Sequence, residues 1–167
     1  MDTAEELRYL VLAAQREGNR MLAQALRPWD LTPSQAEVLR VLADYGPLAL
    51  TGLGELLVCE SGNNPSRLVD RLVLKGLIER RQSTGDRREI KLMLNTDGEL
   101  RAKEVKGIEE AIHRRIDEAL AGFDVEATLS LLRRFVSDLP SGQALTRRMV
   151  RKAEPGKNPG DRGGHEQ

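Results

Sequence analysis

Aromatic side chains make up 3% of the chain, and it holds one cysteine and two histidines. Each scarcity closes a route. So few rings argue against a protein that binds single strands by stacking bases on aromatic platforms. A lone cysteine, Cys59, cannot build an internal disulfide, and a reducing cytoplasm is the expected compartment. Charge of one sign is also missing, since 26 Lys and Arg face 26 Asp and Glu. Net charge therefore points to no polyanion, and only local clustering can. No apolar run reaches the roughly 18 residues of a membrane helix, and the segment after Met1 lacks an apolar signal core. Neither export nor membrane insertion is expected. There is no Gly-rich phosphate loop after a strand, no nucleophile elbow and no paired-histidine metal motif. An enzyme is the least expected class, and no cofactor is implied.

What the chain does have is helical periodicity. Its 167 residues suit one domain, and 31% charged with 40% hydrophobic residues fits a soluble helical protein. Apolar residues from Leu7 to Ala25 recur at helical spacing, which predicts a first helix over 4–27 stopped by Pro28. Thr32, Pro33 and Gln35 spell an N-cap, a first-turn proline and a capping box. The second helix that follows should bury Val38, Leu39, Val41 and Leu42 and end at Gly46-Pro47. Thr51 opens a short third helix, TGLGELLV, whose two glycines make it weak. After a turn at 59–62, a fourth helix runs to Lys75 with Leu68, Val69, Leu72 and Val73 on one stripe, and Gly76 follows as its C′ residue.

Strands are predicted over 77–82 and 89–94, joined by the turn residues Ser83 to Asp86. Either Asn95 alone or Thr96 with Glu99 caps a long fifth helix, whose stripe runs from Leu100 to Leu120. Asp124 caps a sixth helix with Leu129, Leu132, Phe135, Val136 and Leu139. Pro140-Ser141-Gly142 breaks the pattern, leaving room for a short basic helix over 144–152, and 153–167 is too polar to order. The predicted fold is mainly α with a small β-hairpin, a winged helix-turn-helix between N- and C-terminal dimerisation helices. One domain spans 1–140, with its DNA-binding lobe at about 32–95 and its outer helices at about 4–27 and 96–139. A basic, disordered tail spans 141–167. The outer apolar stripes exceed what the central core can cover, so a second copy of the chain should meet them.

The segment SGNNPSRLVDRLVLKGLIERRQSTGDRREIKLML carries the strongest functional signal. A polar start, an amphipathic helix, a Gly hinge and an Arg-rich hairpin suit a helix for a major groove and a wing for the adjacent minor groove. Together, LTPSQAEVLRVL, SRLVDRLVLKGLIERR and GDRREIKLMLN resemble the MarR family of bacterial transcription regulators. The resemblance covers about residues 5–139. Arg67, Leu68, Asp70, Leu72, Gly76 and Leu77 fit the family's recognition-helix end, and Asp86, Arg88 and Leu94 fit its wing. Asn95 stands where threonine is usual and caps a helix equally well. Pro65, less usual at its position, moves the expected helix start toward Asn63 or Asn64. The resemblance implies a triangular homodimer in the cytoplasm, and a repressor whose DNA affinity changes when a small molecule or an oxidant acts on it.

The candidate DNA-binding residues are Ser61, Asn63, Asn64, Ser66, Arg67, Arg71, Asp86, Arg87 and Arg88. The serines and asparagines donate and accept hydrogen bonds, as base edges and phosphates require, and a helix start favours phosphate. Against this stands an ordinary polar helix cap. Arg67 can grip guanine bidentately, or simply pair with Asp70. Arg71, one turn on, suits a phosphate or an internal acid. Arg80, Arg81, Arg87 and Arg88 surround a Gly turn and suit a narrow minor groove, with Asp86 orienting Arg88. The competing reading is a solvated hairpin whose acids, Glu79, Asp86 and Glu89, neutralise these arginines. Cys59 reads as a small buried apolar residue, since adjacent Glu60 disfavours a thiolate. His113, with Glu109 and Glu110 a turn before it, reads as a solvated helix face rather than a metal site. The partners implied are an inverted-repeat duplex operator, a second copy and a small-molecule effector, with no membrane. The alternatives are a winged-helix protein-interaction module and an oxidant sensor acting through Cys59. An effector pocket is expected where helices 1, 2 and 5 meet, near Trp29 and Tyr45.

Overall fold

The computed structural model describes residues 1–59, 65–83 and 89–153. Helix α1 runs Thr3–Leu26, and its start is capped by Asp2, whose carboxylate accepts the Glu5 N–H at 2.8 Å. A 3-10 turn at Arg27–Trp29 ends in Asp30, which adopts a left-handed backbone (φ 51°) and redirects the chain. Helix α2, Pro33–Tyr45, starts with the capping box that TPSQ spells. The Thr32 hydroxyl accepts the Gln35 N–H at 3.2 Å, and the Gln35 side chain accepts the Thr32 N–H at 3.0 Å.

Two elements depart from expectation after α2. A short strand β1, Leu48–Ala49, precedes helix α3, and α3 itself stops at Leu50–Gly54 instead of running on to Val58. The glycines explain the early stop, since each loses more backbone freedom in a helix than any other residue. Helix α4 spans Pro65–Leu74. It ends in a Schellman motif, with the Leu77 N–H donating to the Leu72 carbonyl and the Gly76 N–H to the Val73 carbonyl. Gly76 takes the left-handed conformation this motif needs, at φ 67°.

Strands β2, Ile78–Gln82, and β3, Ile90–Leu94, pair antiparallel with Arg80 opposite Leu92. Strand β1 adds to the other side of β3, so the wing is the outer part of a three-stranded sheet in the order β1-β3-β2. Of the expected alternation, Leu92 and Leu94 are buried, while Ile90, nearer the wing tip, is exposed. Asn95, not Thr96, caps α5 (Thr96–Ala119), accepting the Gly98 N–H at 2.9 Å. Its amide also donates to the Gly76 carbonyl at 2.7 Å, which ties the start of α5 to the end of α4.

Leu26, Val38, Leu39, Leu53, Leu72, Ile78, Leu92 and Val105 meet in one apolar core beneath α2, α4 and the sheet. The outer helices contribute little to it. Helix α6, Val125–Val136, buries none of its described residues. Leu10 of α1, Phe123 between α5 and α6, and Phe135 of α6 are 61%, 73% and 58% exposed.

The region 141–153 corrects the expectation of a disordered tail. Pro140–Ala153 forms a fourteen-residue helix, α7, that docks against the central lobe. Pro140 begins that helix instead of ending order, because a proline at the first helical position gives up only an N–H that has no partner there. Residues 154–167 lie outside the described part.

Candidate nucleic-acid interface

Helix α4 turns two different faces outward and inward. Val69 and Leu72 are buried, and Leu68 and Val73 pack partly on the core. The stripe read from the sequence is therefore the inner face. Arg67 and Arg71, one turn apart, are both exposed on the other side. Among the described residues neither makes an ion pair or a side-chain hydrogen bond, so both guanidinium groups keep their donors available. The competing pairing of Arg67 with Asp70 does not form, because Asp70 bonds Arg80 of β2 at 2.5 Å. That bond crosslinks the helix to the wing strand. Ser66 is half-buried in the first turn of α4 and takes part in a polar contact.

The base of the wing is partly self-neutralised. Arg81 bonds Glu79 through two guanidinium nitrogens, at 2.9 and 2.7 Å, and Lys91 lies 3.6 Å from Glu89. Both pairs are substantially exposed, so water and salt screen them and a phosphate can compete for the cations. Ser61, Asn63, Asn64, Asp86, Arg87 and Arg88 lie outside the described residues. The structure thus brings together Ser66, Arg67 and Arg71 on one short helix beside the wing base.

The far end of α4 is held by Lys75, whose ammonium bonds the Asp30 carbonyl at 2.6 Å and also the Asp30 carboxylate. The lysine holds that carboxyl below its ordinary pKa range. Arg71 and Lys75 share a cleft with Arg27 and the start of α2. It is a second concentration of positive charge beside the helix.

Glu37 was not singled out by its sequence context, yet it is among the few buried charged groups. It sits on α2 in the middle of the apolar run, and its side chain is 9% exposed. One carboxylate oxygen accepts the Val58 N–H at 2.8 Å and the other the Cys59 N–H at 3.0 Å. Arg148 of α7 pairs with the same carboxylate. An acid inside QAEVLRVL, on the face that also carries Val41, is the signal that marks it. Cys59 differs from expectation: it is exposed rather than buried, although its amide is engaged.

The expected pocket is displaced. A cleft of about 300 Å³ lies between α1 and α5, lined by residues that include Gly18, Leu22, Glu109 and His113. A second, of about 470 Å³, lies between α2, β3 and α5 and includes Arg40, Met93, Lys103 and Lys106. Trp29 and Tyr45 line neither. Trp29 packs on the core beneath Arg101, and the Tyr45 hydroxyl donates to the Arg148 carbonyl at 3.2 Å. At the first cleft, burial raises the Glu109 carboxyl above its ordinary range. Arg40, 3.0 Å away, and His113 offset this only in part.

Comparison with known proteins agrees with this architecture. A sequence profile of the MarR family matches residues 31–90, from the start of α2 to β3. Multiple antibiotic resistance protein MarR of Salmonella typhimurium is 32% identical over 89 residues, covering 53% of this chain and 61% of the relative. HTH-type transcriptional repressor MdtR of Bacillus subtilis is 31% identical over 94 residues, covering 56% and 60%. The chain thus spans about three fifths of the length of these curated relatives. A solved structure of a MarR variant from Escherichia coli, complexed with operator DNA, superposes with a TM-score of 0.69 at 25% identity, covering 81% of this chain and 99% of that one. No helix among the described residues is long and apolar enough to cross a membrane. With its three central helices, three-stranded wing sheet and long outer helices, this chain is similar to the MarR family of winged-helix transcription regulators.

Proposed function

We propose that the chain is a sequence-specific double-stranded DNA-binding transcription regulator, acting as a homodimeric repressor whose affinity a small-molecule effector adjusts. The observation that carries this reading is the outer face of α4, where Arg67 and Arg71 project unpaired beside the arginine-bearing base of the wing. A buried inner stripe fixes the helix, and the exposed cations give it donors for base edges and phosphates. The likeness to a MarR variant solved with operator DNA supports the same use of these elements. Ser61, Asn63, Asn64 and Ser66 would serve the start of the helix, and Asp86, Arg87 and Arg88 the tip of the wing.

The exposed apolar residues of α1 and α6 support a dimer, because single domains rarely leave such stripes in water. Two-fold symmetry then sets the operator. Recognition helices in successive major grooves require an inverted repeat with half-sites about 10 bp apart. The α1–α5 cleft, with a half-buried carboxyl at its wall, is the proposed effector site. In this reading the chain is a regulator and not an enzyme, and it works in the cytoplasm. The domain plan is one domain through α6, its reading lobe within 32–95, followed by α7.

Selection of bound sequences from a random duplex library, followed by footprinting, tests the proposal. An enriched inverted repeat protected on both halves is expected. Protection of one isolated half-site would contradict the dimeric mode. No enrichment over random DNA across a salt titration would replace the DNA reading with a protein-interaction module.

A further inference from the structure

We propose that Glu37 and Arg148 form a clamp through which α7 sets the position of the recognition helix, making both of them positioning residues for operator preference. The inference rests on the DNA-binding reading above and names a regulator of that same surface.

The geometry has two halves. The Glu37 carboxylate takes the N–H groups of both Val58 and Cys59, just before the segment that leads into α4. Arg148 pairs with that carboxylate, and its Nε donates to the Leu56 carbonyl at 2.5 Å. One guanidinium and one carboxylate therefore hold the stretch Leu56–Cys59 by a carbonyl on one side and two amides on the other. Arg147 adds a bond to the Glu55 carbonyl at 2.9 Å, and the Tyr45 hydroxyl holds the Arg148 carbonyl. These links join α2 and α7 to each other and both of them to the chain between α3 and α4.

The chemistry makes the arrangement cooperative. Glu37 is nearly buried, and Arg148 is three quarters covered. A buried carboxylate that loses its cation is left uncompensated, so undocking α7 also weakens the grip on Val58 and Cys59. Helix α7 packs on α6, whose apolar residues lie open at the surface. Movement of the outer helices has a polar path to the lead-in of α4. A change at this path shifts how the helix is presented without removing any group that meets DNA.

The test uses the full chain and the operator enriched from the random library. Parent, Arg148→Ala, Arg148→Lys and Glu37→Gln are compared for affinity to that operator and to random duplex at one salt concentration. Amide exchange at Val58 and Cys59 is followed in parallel. Arg148→Ala and Glu37→Gln should each lower the operator-to-random preference roughly tenfold and speed exchange at both amides. Affinity for random DNA should stay within about twofold. Arg148→Lys, which keeps the charge but not the fork, should recover part of the preference. Glu37→Gln makes the protein one unit more positive, so charge alone would tighten DNA binding. A loss of preference in that variant therefore reports placement. An unchanged preference alongside faster amide exchange would overturn the clamp's role in reading. Parallel loss of both affinities together with the melting temperature would overturn it too, as general destabilisation. A parent that prefers no sequence would remove the DNA reading and this inference with it. A parent that does prefer one, with variants that match it, removes the clamp alone.

Discussion

Arg67 and Arg71 sit one turn apart yet have different surroundings. Arg71 lies in a cleft with Arg27 and with Lys75, which Asp30 neutralises, so the charge left to suit a phosphate is that of the two arginines. Arg67 stands nearer the start of α4, the end that enters a major groove in helix-turn-helix docking. Arg67→Ala should cost about 1–3 kcal/mol on the selected operator and relax preference at one position in each half-site. Arg71→Ala should weaken all sequences alike and reduce the slope of log K against log salt by about one. Fluorescence anisotropy titrations at several salt concentrations separate the two. Equal, sequence-independent losses would reassign Arg67 to the backbone. Glu109 offers a pH test. Burial raises its folded-state pKa, so the folded chain binds a proton that the unfolded chain has released. Its contribution to stability is complete below the unfolded pKa and declines as pH rises toward and through the folded value. Glu109→Gln should flatten that decline, while Asp44, 3.3 Å from Arg40, keeps the arginine paired. Urea midpoints measured at about pH 4 to 7 report it. A parent and variant with parallel profiles would show that Glu109 titrates alike in both states.

The elements that sequence reasoning placed well are those whose signals are local. TPSQ encodes the capping box of α2, Asn95 the cap of α5, and Gly76 the end of α4. Each depends on residues within one turn of itself. Strand β1 was not legible, because two residues after Gly46-Pro47 become a strand only through the free edge of β3, more than forty positions away. Of helix α7 the sequence offered only the short stretch 144–152, and its start at Pro140 was not legible for a related reason. Proline both stops and starts helices, and what favours starting here is a docking site built by Glu37, Leu56 and Glu55. The candidate site divides in the same way. The inner and outer faces of α4 follow from periodicity, whereas the pairing of Asp70 with Arg80 depends on the β2 register. One close contact between elements is exacting. A Cβ on Gly98 would lie 2.0 Å from the Leu77 carbonyl oxygen, where α5 crosses the end of the α4 turn. Gly98→Ala should therefore destabilise the fold by about 1–3 kcal/mol, seen as a lower melting temperature. An unchanged melt would mean that α5 can shift away without loss.

At the scale of the whole molecule, the core and the outer helices behave as separate economies of contact. The core closes within one chain, and the ends do not. Light scattering at micromolar concentration should report about twice 18.6 kDa, and a stable monomer there would sink the dimer. Deleting 154–167 should leave that mass ratio intact, since the segment has almost nothing apolar to bury. The open face of α1 carries a further consequence, in mass action. Tyr9, Leu10, Val11 and Leu12 all face water in the single chain, and a helix without packing is marginal on its own. Helicity measured by circular dichroism should therefore fall on dilution, with the loss confined to the ends of the chain. Below the dimerisation constant, occupancy of a DNA bearing two half-sites should rise with the square of chain concentration, and above it in simple proportion.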